Sequence, residues 1–164
     1  MTVTFIREAV DIYKRPKVDL AHLASDKTVT IGDLHANSIK FLFMLIKHGV
    51  VSNINEADYN RLVAIYKTYP LTNEALKEYE YLISKMKVNP NASLRLIGDE
   101  FCDRGNNDYF TLRLMELLQD NSVSMEIMLS NHSVEFLEAC EKQDNFKAPM
   151  LMLQHAVSAF KLQE

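Results

Sequence analysis

The sequence predicts an α/β fold: a sheet of parallel strands flanked by helices, with a helical hairpin inserted between two of its units. Three runs carry this reading. Thr28–Ile31, Leu94–Ile97 and Met125–Leu129 are short and rich in strand-forming residues. They end in polar clusters: Gly32-Asp33, Gly98-Asp99 and Ser130-Asn131-His132. Behind each lies a stretch with apolar residues at helical spacing: Ile39–Lys47, about Asp108–Leu118 and about Val134–Lys142. A strand-to-helix unit that recurs in this way builds a sheet with helices on its faces.

In chain order, Val3–Tyr13 reads as a leading helix. The helix at Ile39–Lys47 has Asn37 and Ser38 as its N-cap and a stop at Gly49. Glu56–Lys67 and Asn73–Lys87 both show helical spacing, divided by Tyr69-Pro70-Leu71-Thr72, where proline breaks the helix and threonine caps the next one. The chain between Asp33 and Asp99 far exceeds the roughly 30 residues of a whole strand–helix–strand unit, so the hairpin at about 56–87 is read as an insertion. Insertions of this kind carry partner contacts, although Tyr66, Tyr69, Tyr79 and Tyr81 are expected to pack the hairpin onto the domain. The Glu/Lys-rich stretch Glu74–Lys87 is read as a solvated helix face. A last helix spans about Ala148–Leu162, with Met150, Leu153, Val157 and Phe160 on one side. Met44, Met115, Met125, Met128, Met150 and Met152 are read as core filling.

Composition narrows the function. With 164 residues, 48% apolar and 24% charged, the chain can bury a real core. Its longest apolar run, Phe41–Ile46, falls far short of the roughly 20 residues of a membrane span, and Met1–Leu20 lacks a signal-peptide core. A soluble, cytoplasmic protein is expected. The net charge of −4 without a basic run argues against nucleic-acid binding. Cys102 and Cys140 are too few for a disulfide framework or a structural zinc site, and both read as small buried residues. Neither is followed six positions on by the arginine of a cysteine phosphatase, those positions being Asp108 and Phe146, and no phosphate loop of the Gly-Lys-Ser/Thr type occurs. His22 and His48 lie outside the clusters and receive no role.

In open α/β sheets ligands gather at the carboxyl ends of strands, where all three polar clusters fall. Together they offer carboxylates, imidazoles, an amide and an arginine, a donor set suited to manganese, iron or zinc. Asp33 and His35 can ligate one ion, Asp99 can bridge two, and Asn131 can serve the second. Two-metal sites activate water and clamp phosphoryl oxygens. Arg104 suits bidentate phosphate binding, and His132 suits protonation of a leaving oxygen with Asp103 orienting its ring. Glu100 is expected to point to solvent.

These residues resemble the pattern of the metallophosphoesterases, specifically the phosphoprotein phosphatase (PPP, calcineurin-like) family: Gly-Asp-x-His-Gly, then Gly-Asp-x-x-Asp-Arg-Gly, then Gly-Asn-His-Glu. The hairpin resembles that of the Wip-type effector phosphatases that some intracellular bacteria inject into host cells. The resemblance covers about Val29–Glu135. It implies Asp33 and His35 as ligands of the first metal, Asp99 as the bridge and Asn131 as a ligand of the second. It further implies His132 as general acid, Asp103 as its partner, and Arg104, Asn131 and His132 around the substrate phosphate. Two divalent ions are implied, manganese first, with iron or zinc as alternatives.

The departures are specific. Ala36 and Ser130 stand where the family has glycine, three residues rather than two separate Asp99 from Asp103, and Glu135 follows His132 by three positions rather than one. The family's downstream ligand histidines, one of them in a His-Gly-Gly segment, have no counterpart before Glu164, and His155 is read as a packing or surface residue.

The expectation is therefore a partial metallophosphoesterase domain over 1–164, the N-terminal portion of a phosphomonoester hydrolase acting on phosphorylated protein through metal-activated water. A shortened relative is the alternative to a fragment. A non-catalytic pseudophosphatase working as a binding module is the alternative function, and a dinucleoside polyphosphate hydrolase the third. A protein partner at the hairpin, a homodimer through an exposed sheet edge, and export into a host cell complete the expectations.

Overall fold

The computed structural model describes residues 9–25, 27–101 and 108–141. Cys102, Asp103, Arg104, Gly105, His155 and the expected helix Ala148–Leu162 lie outside them, as do the side chain of Cys140 and residues Met150 and Met152. Ten elements follow one another: β1 (Val29–Ile31), α1 (Ser38–Lys47), β2 (Val51–Ser52), α2 (Glu56–Tyr66), α3 (Asn73–Ser84), β3 (Lys87–Val88), β4 (Ser93–Leu96), α4 (Asp108–Asp120), β5 (Ser124–Ile127) and α5 (Asn131–Glu141).

The sheet is parallel, in the order β1-β4-β5, with Val29 opposite Leu94 and Leu94 opposite Met125. Its centre is dry, since Ile31, Leu94 and Leu96 are buried, while Arg95 faces out and pairs across the strands with Glu126 at 2.7 Å. Against it lies α1, whose apolar run delivers Phe41, Leu42, Leu45 and Ile46 to the core, each burial worth about 1.5–3 kcal/mol. The helix starts where Asn37 accepts the Lys40 N–H at 2.9 Å. It ends as expected at Gly49, whose φ of +68° lets the Val50 and Gly49 amides close back on Leu45 and Ile46.

The hairpin is present, with α2 capped by Asn55 and α3 by Thr72. Tyr59, Leu62, Ile65, Tyr79 and Ile83 join the same core as α1 and α4. Its base carries an element absent from the sequence reading: β2 and β3 pair antiparallel, Val51 opposite Val88. The pairing explains why α3 stops at Ser84 rather than Lys87, because Lys87 and Val88 are drawn into that ribbon.

Four further expectations are corrected. Residues 9–13, the described part of the expected leading helix, are not helical; this segment lies along the hairpin, where the Tyr59 hydroxyl donates to the Ile12 carbonyl at 2.6 Å and Arg15 Nε to that of Ile54 at 2.7 Å. Tyr66 and Tyr79 pack inward, whereas Tyr69 and Tyr81 are exposed, the latter with Lys85 Nζ 4.8 Å above its ring. Met128 is 56% exposed at the end of β5, while Met115 is buried and Met44 and Met125 partly so. The Glu74–Lys87 stretch is only partly a free solvated face. Glu78 pairs with Arg61 of α2 at 2.6 Å, and Glu80 accepts Arg113 of α4 through both oxygens at 2.7 Å each. Tyr109 also donates to Glu80, at 2.6 Å, and the Tyr79 hydroxyl to the Phe110 carbonyl at 2.9 Å. The hairpin is thus fastened to α4, the helix that follows residues 102–107. His22 and His48 serve local structure, pairing with Asp19 and with the His22 carbonyl.

Candidate functional site

The loops after β1, β4 and β5 meet at the carboxyl edge of the sheet. Two of them are joined backbone to backbone: the His35 N–H donates to the Asp99 carbonyl at 2.7 Å and that of Ala36 to the Glu100 carbonyl at 2.9 Å. Such close pairing demands unusual dihedrals. Asp33, His35, Ala36 and Asp99 have φ of 51°, 47°, 58° and 58°, a left-handed conformation that side-chain-bearing residues seldom adopt and that gathers at functional sites. Ala36, where the resembled family carries glycine, is accommodated in that conformation.

Each site residue expected from sequence can now be placed. His35 is buried, Asp99 and His132 are half-buried, and one ligand atom from each lies within 4.8 Å of the others. The His35 and His132 rings meet edge to face with centroids 5.6 Å apart. Asp99 Oδ1 is buried without a hydrogen-bond partner among the described residues. Asp33 is exposed and stands outside this trio; its carbonyl, with that of Gly32, accepts Lys40 Nζ at 2.7 and 3.2 Å. Asn131 opens α5 and is exposed. That helix begins three residues earlier than the spacing predicts, so His132 stands in its first turn, and Glu135, one turn on, reaches His132 Nδ1 at 3.3 Å. The displaced glutamate of the sequence pattern thereby regains the imidazole.

Glu100 contradicts its expected orientation. It is 1% exposed, with Oε1 accepting the Gly98 N–H at 2.8 Å and Oε2 the Ser133 hydroxyl at 3.0 Å. The left-handed turn at Asp99 sends the next side chain inward instead of to solvent. Ser130, Ser133 and Lys40 were likewise missed. Only Lys40 left a signal, a cation in the first turn of a helix, where the dipole disfavours it unless carbonyls receive it.

Two imidazoles and a carboxylate with an unpartnered oxygen fit a divalent ion of borderline character. The remaining expected members, Asp103 and Arg104, lie outside the described residues. Residues 93–164 match the WipA-like phosphatase domain. The solved phosphatase domain of the Legionella effector WipB is similar at 34% identity and a TM-score of 0.68, over 81% of this chain and 54% of that one. The chain thus spans about half of that domain, and its sheet and flanking helices follow a phosphatase domain fold. No curated protein matches it. The WipA-like match takes in β4, α4, β5 and α5, and so three of the five residues at the rim: Asp99, Asn131 and His132.

Proposed function

We propose that this chain forms the metal-binding part of a phosphomonoester hydrolase of PPP type, acting on phosphorylated protein side chains. The observation that carries the reading is the convergence of His35, Asp99 and His132 from three different strand ends. Asp33 and His35 would hold one divalent ion, Asp99 would bridge, and Asn131 would serve the second, with manganese preferred and iron or zinc as alternatives. Such ions, when bound, supply Lewis acidity that activates water and polarises a phosphoryl oxygen. The chain's own groups do the rest. His132 delivers a proton to the leaving oxygen, and Glu135, with Asp103 as the family pattern implies, sets which ring nitrogen carries it. Arg104 clamps the phosphate bidentately.

Among the described residues no helix is long and apolar enough to cross a membrane. Similarity to an effector phosphatase supports export into a host cell as the setting in which the substrate is met.

Hydrolysis of para-nitrophenyl phosphate with added manganese, beside Asp99→Asn, with bound metal measured in both, tests the reading. Manganese-dependent turnover that the variant loses supports it. Metal binding without turnover would move the chain to the non-catalytic alternative, and no binding would overturn the metal assignment.

A further inference from the structure

We propose that Glu100 is a positioning residue that holds His132 in register with Asp99 and His35; this rests on reading those three as parts of one metal-binding and proton-delivering site. The Glu100 side chain hydrogen-bonds to Gly98 and Ser133 rather than to the three site residues themselves, and through these bonds and its carbonyl it joins every element that bears one. Its carbonyl receives Ala36 from the β1 loop, Oε1 receives Gly98 at the end of β4, and Oε2 receives Ser133 in the first turn of α5, next to His132.

The hydrogens run in one direction. Ser130 Oγ accepts the Asp99 N–H at 2.9 Å and the Ser133 N–H at 3.3 Å, which uses both lone pairs. Its proton therefore turns to Ser133 Oγ, 3.0 Å away, and the Ser133 proton goes on to Glu100. Every donor in this buried chain is used, and it terminates on the Glu100 carboxyl oxygens.

A neutral isostere cannot replace that terminus. In Glu100→Gln the amide oxygen must stay with the Gly98 N–H, so the amide nitrogen faces Ser133 and donates to it. Ser133 Oγ then receives both the amide N–H and the Ser130 hydroxyl, Ser130 Oγ is already filled by two N–H groups, and the Ser133 proton is left without an acceptor. The contact that yields is the one between the β4 loop and the start of α5, which sets where His132 stands. His35, tied to Asp99 by backbone, keeps its place.

The test uses the full 164-residue chain, isotope-labelled, as wild type, E100Q, S133A and the double variant. Three readouts are taken: amide exchange at Gly98 and Asp99 without metal, affinity for Mn²⁺ alone by calorimetry, and the shifts of the His35 and His132 ring signals on adding diamagnetic Zn²⁺, since rings with centroids 5.6 Å apart would be broadened together by Mn²⁺. In E100Q, Asp99 exchange is expected to rise at least about tenfold, Mn²⁺ affinity to fall about 10–100-fold, and the Zn²⁺-induced shift of His132 to be lost while that of His35 persists. S133A should act in the same direction, and the double variant should be no worse than E100Q, because both cut one chain. General loosening would spare neither histidine. Wild-type exchange at Asp99 together with a wild-type Zn²⁺-induced shift of His132 in both single variants would overturn the proposal. If E100Q does not fold, S133A decides, since it leaves the Glu100–Gly98 bond intact. If Zn²⁺ shifts neither histidine in the wild type, the metal-site reading fails by itself, and Asp99 exchange with the metal-free His132 shift in E100Q still decides the role of Glu100.

Discussion

Replacing Gly98 by alanine should be among the most damaging single-methyl changes available to this molecule. Two terms add. At φ +103° an alanine is strained by about 1–3 kcal/mol, and the new Cβ would lie 2.9 Å from Ser130 Cβ, inside the roughly 3.5–4.0 Å of comfortable carbon contact. The obstacle is the stem of Ser130, not the far end of a flexible side chain, and that residue is pinned by the Asp99 N–H. Relief therefore requires α5 to move off β4, and the whole change should cost about 2–4 kcal/mol, a large share of a typical domain stability. Gly49→Ala is the matched control. It also has positive φ, at +68°, but its Cβ would meet the methyl end of Leu23 at 3.0 Å, which can turn aside, and Val18 Cγ1 at an ordinary 3.8 Å. Urea denaturation followed by circular dichroism should place Gly98→Ala at least about 1 kcal/mol below Gly49→Ala. Equal losses, or a loss at Gly98 under about 1 kcal/mol, would refute the claim that the β4–α5 approach is tight.

Phe110→Ala should cost about 3–5 kcal/mol in the same assay, because the ring is fully buried and stacks on Tyr79 at 4.0 Å between centroids; a loss below about 2 kcal/mol would mean the hairpin is not seated on α4. Burial holds the Tyr79 hydroxyl well above its ordinary range, and burial followed by the Glu80 hydrogen bond does the same for Tyr109. The unfolded chain then releases these protons first, so stability is fully present below about pH 10 and declines as pH rises beyond it. The urea midpoint should fall between pH 8 and pH 11, with a shallower fall in Tyr79→Phe; an unchanged midpoint would contradict the assignment. Arg113→Lys removes the fork that grips Glu80 and should cost about 1 kcal/mol or less, since the pair is partly open to solvent, with a penalty that shrinks in high salt. A larger, salt-independent loss would point to packing instead of charge.

Periodicity made the sheet and most helices legible because local pattern and tertiary role agree there. Phe41–Ile46 is an apolar run that becomes the buried face of α1, and the three strand runs end in residues that suit tight turns. The ribbon of Val51–Ser52 with Lys87–Val88 was not legible, since two-residue strands leave no period and exist only through pairing across the hairpin. That Asp99, His35 and His132 belong to one site could be read because all three sit in motifs at strand ends. Glu100 could not, because its direction is decided by the left-handed turn at Asp99, a backbone state for which aspartate is no reliable marker. The helix start at Asn131 was missed for a related reason: Ser130 caps it with a hydroxyl that also answers the neighbouring strand, a contact distant in sequence.

The paired ends of the hairpin have a topological consequence. Because β2 meets β3, and the Asn89 N–H closes on the Val50 carbonyl at 2.8 Å, the hairpin begins and ends at one point, like a side street with a single entrance. Lengthening or shortening such an excursion barely alters the closure entropy and leaves the strand order untouched. What restrains this branch is its far wall, where Tyr79 and Glu80 grip α4. Insertions or deletions at the exposed tip around Tyr69 are therefore expected to be tolerated. Changes to Tyr79, Glu80 or the helix they grip should be tolerated only as compensating pairs.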